Sequence, residues 1–384
     1  MCTRILLDYD GKIVTSRTMD WHNKLDTSIW AFPKGIKRDS MDTKSKHVFH
    51  WTSKYDSLVV CESFPNNKTP YSASADGINE EGLVVNSLWL SESSYNLAVG
   101  EISEKHISVG IWVQYMLDNY KDVKDAVTDW ITGNYRVVTM KMPGEAGKLV
   151  NMHLSISDAE GNSAIFEFYS DNDFENARLH ITTNLDIIVI EKDLENVKIL
   201  QCDCPVMTNS PVFEQQIKLN YFWSWQWENF KNSVMQAANK ASQLKTLPGT
   251  SRAPDRFTRA SFYLNGVNKP QKYFERIAQV FSIMKTVTVP IEYIRTDKAP
   301  PTISNTLWTS VYDHNRKRLF FQTSYLPSTY WCDLNKLKLD DKNYLRCYLI
   351  DDAKHKGDII NGGDISNKME IRRSEDFKFI LSSD

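Results

Sequence analysis

The dipeptide Asp10-Gly11 lies between two β-rich runs, CTRILLDY and KIVTSRTMDW, and it restricts the fold more than any other local feature. Asp-Gly favours a two-residue type I′ turn, whose central residues both need positive φ and whose twist matches that of paired strands. If Tyr9 pairs with Lys12, opposed residues sum to 21, so Cys2 faces Met19 and Arg4 faces Arg17. Side chains alternate between faces, which places Cys2 and Arg17 diagonally on one face and sets Asp20 across from residue 1. The first residues thereby gain a charged neighbourhood.

Further patterns extend this start. A strand is expected around 56 to 63, and the β segment GLVVNSLWL follows a turn-rich stretch from Asp76 to Gly82. Asp122 can cap a helix with Val123, Ala126, Val127, Trp130 and Ile131 on one face and Gly133 at its end; the run from Ser108 to Leu117 reads as a more deeply buried helix. Residues 151–169 predict a second hairpin, strands are expected around 186 to 199, and Thr208-Asn209-Ser210-Pro211 reads as a turn. From Trp223 to Lys245 the chain reads as helical or irregular, with Tyr221, Phe222, Trp223, Trp225 and Trp227 spaced for a core or an interface. A helix from Pro270 carries Phe274, Ile277, Ala278 and Phe281 on one stripe, and a last hairpin turns near His314-Asn315. With no repeat or linker, residues 1–384 read as one domain of sheets flanked by helices. The charged segment from about 351 to 384 is its peripheral part.

Composition narrows the function. Of 384 residues, 41% are hydrophobic, enough for a large core. A net charge of −2, with Lys and Arg scattered, speaks against nucleic acid and anionic lipid as partners. No run approaches the roughly 20 apolar residues of a membrane span. The N-terminus lacks the order of a secretory signal, which implies a cytoplasmic protein as written, or a periplasmic or secreted one if Met1 stands where a signal peptide was removed. Cys202-Asp203-Cys204 has no second ligand pair and reads as buried structural thiols, and the eight histidines form no metal motif, so neither metal nor cofactor is expected.

Cys2 carries the chemistry. Removal of Met1 would leave one residue with both a thiol and a free α-amine, whose ordinary pKa values of about 8.5 and 7.7–8 let a proton pass from sulfur to nitrogen at little cost. Thr activated by an N-terminal amine works on the same logic. Arg17 can hold substrate or stabilise a thiolate, and Asp20 can orient the ammonium form, although together they could also be an ordinary cross-strand ion pair.

In the order Cys2-Thr3, Ser16-Arg17-Thr18-Met19-Asp20-Trp21, the segment Ala75 to Leu83, Thr208-Asn209-Ser210-Pro211 with Phe213, and Leu247-Pro248-Gly249 followed by Asp255-Arg256-Phe257, the chain resembles the choloylglycine hydrolases. These linear amide C–N hydrolases include conjugated bile salt hydrolases and penicillin V acylases. The resemblance implies an α+β, four-layer αββα N-terminal-nucleophile fold of two mainly antiparallel sheets flanked by helices. It also implies a small-molecule amide substrate, no cofactor, and a homo-oligomer, usually a tetramer.

Residue by residue, it makes Cys2 the nucleophile, Arg17 and Asp20 its neighbours, Asn209 an oxyanion donor, and Arg256 the completing cation, with Asp255 where the family usually has serine. Trp89 stands where bile salt hydrolases carry Asn; its backbone N–H is the second oxyanion donor, and Trp21 and Trp89 border the substrate. These indoles lean toward the penicillin V acylase and acyl-homoserine lactone acylase branch, with bile salt hydrolase as the alternative. His153 and Arg259 read as a core histidine and a surface charge, and Asp76 and Asn79 as loop geometry. The reading from another class is a binding protein of the same fold that retains Met1.

Overall fold

The computed structural model describes residues 2–64, 71–95, 105–143, 145, 147–171, 177–186, 197–229, 247–291, 304–350 and 362–382. Tyr9 and Lys12 exchange backbone hydrogen bonds of 3.1 and 3.2 Å, with Asp10 and Gly11 at φ of 54° and 79° between them. This is the expected turn, and the strands Cys2–Asp8 and Ile13–Trp21 pair in the expected register, Cys2 with Met19 and Arg4 with Arg17.

That hairpin lies inside a seven-stranded sheet, flanked by Val206–Thr208 on one side and Asn305–Asp313 on the other. A second sheet, of eleven strands, has Met152–Ser157, Val84–Trp89, Tyr71–Asn79, Ser57–Phe64 and Asp26–Phe32 at its centre. Helices α1 (Trp112–Asn119) and α2 (Val123–Thr132) cover the outer face of the larger sheet. On the smaller sheet lie α4 (Ala253–Gly266) and α5 (Tyr273–Lys285), and α3 (Phe213–Asn229) packs against α4. The layers are therefore αββα, as the resemblance implies.

The space between the sheets holds buried polar groups, several of which pair across the gap. Thr15 meets Ser157 at 3.0 Å, Arg4 donates to Ser163 at 3.1 Å, and Asp76 accepts from Ser310 and Tyr312, each at 2.7 Å. Such pairing is what makes buried polar groups tolerable. On the opposite face of the hairpin, Ile5, Leu7 and Val14 join Val280, Phe281 and Met284 of α5 in one core.

Several sequence expectations shift. The strand Tyr71–Asn79 runs through the stretch taken as turn-rich, and only Glu80 to Gly82 turn. Gly77 permits this, since a Cβ there would lie 2.8 Å from both Leu117 of α1 and the Leu58 carbonyl. Asp76 and Asn79 are buried strand residues rather than loop, and Asn79 donates to the carbonyls of Leu117 and Tyr120. Helix α1 starts at Trp112 instead of Ser108, because Ser108 ends a strand and Gly110 lies against the Ile380 carbonyl. A strand at Arg178–Thr183 precedes Val197–Gln201, and residues 187–196 lie outside the described ones.

Helix α3 begins ten residues before Trp223, its first N–H capped by Glu167 from a distant strand. Its Tyr221, Phe222 and Trp225 are exposed, so they are not core; the Trp227 side chain and residues 230–246 lie outside the described residues. On α5 the buried stripe is Ile277, Val280, Phe281 and Met284, while Phe274 and Ala278 face out. Cys204 is buried but Cys202 is partly exposed. Arg259 is no free surface charge: it staples α4 to the carbonyls of Pro248, Thr250 and Thr286.

Candidate active site

The site gathers at the first residue of the first strand. Cys2 is 3% exposed, and its Sγ lies on the inter-sheet face 3.7 Å from Arg17 Nη2 and 4.0 Å from Met19 Sδ. The diagonal neighbour predicted from the turn is thus in contact with the thiol. Arg17 also donates to the Ser87 carbonyl at 2.8 Å and lies over the Trp308 ring at 4.5 Å. Its Nε and Nη1 have no hydrogen-bond partner among the described residues.

Asp20 has the opposite parity and points to the helix side of the sheet. There its carboxylate accepts from Thr306 Oγ1 at 2.7 Å and pairs with Arg256 Nη1 at 3.2 Å, all fully buried. Arg256, in the first turn of α4, also donates to Thr3 Oγ1, to the Ser251 carbonyl at 2.9 Å, and to Asn209 Oδ1 at 2.9 Å. Burial lowers the pKa of this guanidinium, and Asp20 and Cys2 oppose that shift. Asp255, in the place of the family serine, turns away to accept from Thr250 and leaves the Arg256 contacts intact.

Asn209 joins the two faces. Its Oδ1 accepts from the Cys2 nitrogen and from Arg256, and its Nδ2 donates to the Trp89 carbonyl at 2.6 Å. Strand register explains why that carbonyl is available. Leu90 bonds to Asn151 across to Met152–Ser157, so Trp89 and Ser87 turn their peptide groups the other way, toward Tyr71–Asn79, whose pairing with this strand stops at Asn86. The two uncommitted carbonyls meet Arg17 and Asn209, and the Trp89 N–H points to the same side.

Sequence reasoning did not reach the parts that hold Asn209. Gln216, on α3 and fully buried, donates to the carbonyls of Asn209 and Pro211, both at 2.5 Å, and accepts from Thr208 N–H and hydroxyl at 3.2 and 3.0 Å. His153 is a core histidine as expected, its Nδ1 2.8 Å from Glu167. That carboxylate caps the Phe213 N–H at the start of α3.

Beside Arg17 and Met19 opens a pocket of about 70 Å³, bordered by Trp21, Trp89, Met140, Met142 and Met152. Trp21 and Trp89 are 5.5 Å apart, and Lys148 Nζ lies 4.5 and 5.0 Å from their rings. Nothing in the spacing of Lys148 announces this cap.

A model of the linear amide C–N hydrolases, choloylglycine hydrolase family, matches residues 2–173 and 168–346. The chain belongs to that family. It is 34% identical over 336 residues to a penicillin V acylase of Pectobacterium atrosepticum, covering 84% of this chain and 77% of the relative. A bile salt hydrolase/transferase of Clostridium perfringens is 24% identical over 359 residues, covering 91% and 96%. Among solved structures, the penicillin V acylase of Agrobacterium tumefaciens superposes with a TM-score of 0.72 at 31% identity, covering 99% of this chain and 100% of that one. The chain is accordingly an amide C–N hydrolase of the linear-amide type.

Proposed function

We propose that this hydrolase acts as a penicillin V acylase-type enzyme with Cys2 as nucleophile and its own α-amine, released with Met1, as base. The observation that carries the reading is the convergence on Cys2: Arg17 at its sulfur, Asn209 at its nitrogen, and Asp20 with Arg256 behind Asn209.

The α-amine takes the thiol proton and sulfur attacks the amide carbonyl carbon. The oxyanion is held by the second hydrogen of Asn209 Nδ2 and by the Trp89 N–H, which lies on the same side of its strand as the carbonyl that Asn209 binds. The ammonium returns its proton to the leaving nitrogen as the C–N bond breaks, leaving a thioester on Cys2. Water then attacks with the α-amine again as base, and the carboxylic acid departs. Asp20 acts through Arg256 and Asn209, and holds rather than reacts.

The acyl group enters the apolar pocket beside Arg17 and Met19, bordered by Trp21 and Trp89. Its indole and thioether lining suits an aryloxyacetyl or an aliphatic acyl group. The test is hydrolysis of penicillin V, conjugated bile salts and acyl-homoserine lactones with a Cys2→Ala control. Turnover of penicillin V that disappears in the control supports the reading, and undiminished turnover in the control refutes it.

A further inference from the structure

The acyl pocket contains a group that an apolar cavity does not need. Glu62, on Ser57–Phe64, is the one carboxyl group among its described lining residues and is 4% exposed. Its Oε1 accepts from Trp308 Nε1 and its Oε2 from Thr27 Oγ1, each at 2.8 Å. Both donors are neutral, and each oxygen keeps a further lone pair.

The same Trp308 that binds Glu62 through its edge carries the Arg17 guanidinium on its face at 4.5 Å, so the indole stands between cation and carboxyl. The groups facing Glu62 are Arg17 from Ile13–Trp21 and Asp76 from Tyr71–Asn79, which pull in opposite directions; Asp26–Phe32 supplies Thr27 and Asn305–Asp313 supplies Trp308. Burial outweighs these and pushes the Glu62 carboxyl up to about 7. A bound apolar group completes that burial, which further disfavours the charged form.

We propose that Glu62 is a specificity-determining residue of this pocket: an apolar acyl group is taken with Glu62 as the neutral acid, and the ionised form selects against it in favour of acyl groups bearing a hydrogen-bond donor. The proposal rests on the reading that this pocket receives the acyl group. Because binding is linked to protonation, affinity for an apolar acyl group falls as pH rises above about 7, by up to about tenfold per pH unit.

The experiment measures the dissociation constant of penicillin V by calorimetry from pH 5.5 to 8.5 in Cys2→Ala, which cannot turn over, and in Cys2→Ala with Glu62→Gln. The expected result is weakening of about tenfold per unit above pH 7 with Glu62 and a flat profile with Gln, with uptake of about one proton on binding only in the former. In the unsubstituted enzyme the same step is expected in KM and not in kcat. An identical slope in both variants, or a flat profile in both, overturns the role of Glu62. Met152→Trp, which fills the pocket, separates the two readings. If it leaves penicillin V binding unchanged, the pocket assignment itself fails and the Glu62 proposal with it; if it weakens binding while Glu62→Gln keeps the slope, only the Glu62 proposal fails.

Discussion

Asn209 and Trp89 lie 120 positions apart and are joined by one 2.6 Å hydrogen bond, from the Asn209 amide to the Trp89 carbonyl. That bond fixes the side-chain amide at the rim of the sheet, with its oxygen turned back to Cys2 and Arg256. A residue tied at both ends can present its remaining hydrogen without reorganising, which is the property an oxyanion donor requires.

Asn209→Asp separates this donor from the acceptor role. The aspartate keeps an oxygen for the Cys2 nitrogen and for Arg256 but has no N–H to offer. A fall in kcat of about 10²–10³ is expected for both Asn209→Asp and Asn209→Ala in steady-state assays. Full activity in the Asp variant would rule out the donor.

The proposed mechanism requires Met1 to be gone. Intact mass spectrometry of active protein should show the chain one methionine lighter, and quenching during turnover should add one acyl mass that Cys2→Ala never acquires. A fully active population that retains Met1 would contradict the assignment.

The Asp20–Arg256 pair is fully buried, so its removal leaves an uncompensated charge. Asp20→Ala should destabilise the fold by about 3–5 kcal/mol, read as a lowered urea midpoint at unchanged m-value. A loss below about 1 kcal/mol would mean that the pair is solvated in the protein.

His314 gives the acid response a defined sign. It is fully buried, its Nδ1 donates to the Gly82 carbonyl at 2.8 Å, and its Nε2 lies 2.7 Å from Thr15 Oγ1. Burial pushes its pKa from 6.5 down to about 3. Between those values the unfolded chain binds a proton that the folded one does not, so this contribution is complete above pH 6.5 and shrinks by about 1.4 kcal/mol per unit as pH falls. The stability gap between wild type and His314→Gln should narrow at that rate from pH 6 to 4 in urea titrations; a constant gap would exclude the linkage.

Two glycines at positive φ should differ in cost. Gly11 has open space around it, so Gly11→Ala carries only backbone strain, about 1 kcal/mol. At Gly82 a Cβ would also lie 2.7 Å from the His314 carbonyl, so Gly82→Ala should cost clearly more in paired thermal melts. Equal costs would show that the His314 backbone yields freely.

What the sequence disclosed depended on how local the determinant was. The register of Cys2, Met19 and Arg17 was legible because a two-residue turn leaves no freedom in counting. The caps and buried face of α2 were legible for the same reason, since Asp122 accepts from the nearby Asp125 N–H. The start of α3 was not, because its cap, Glu167, comes from a strand 46 residues away. Strand Arg178–Thr183 was missed because five of its six residues are buried, which removes the alternation that marks a half-exposed strand. Glu62 sits in an apolar run that tells nothing of which strands will face it, and Gln216 acquires its role only once α3 lies beside the loop it clamps. For Asn209 and Arg256 it was the order of short motifs, rather than any local property, that marked them.

The turn at Asp10 and Gly11 lies eight residues from the thiol, yet it acts as a ruler for it. One residue added to or lost from either arm between Cys2 and Arg17 would slide the strands past each other and carry sulfur and guanidinium to opposite faces. This stretch of chain is therefore held to a fixed length as well as to a composition, and length variation has to be accommodated elsewhere.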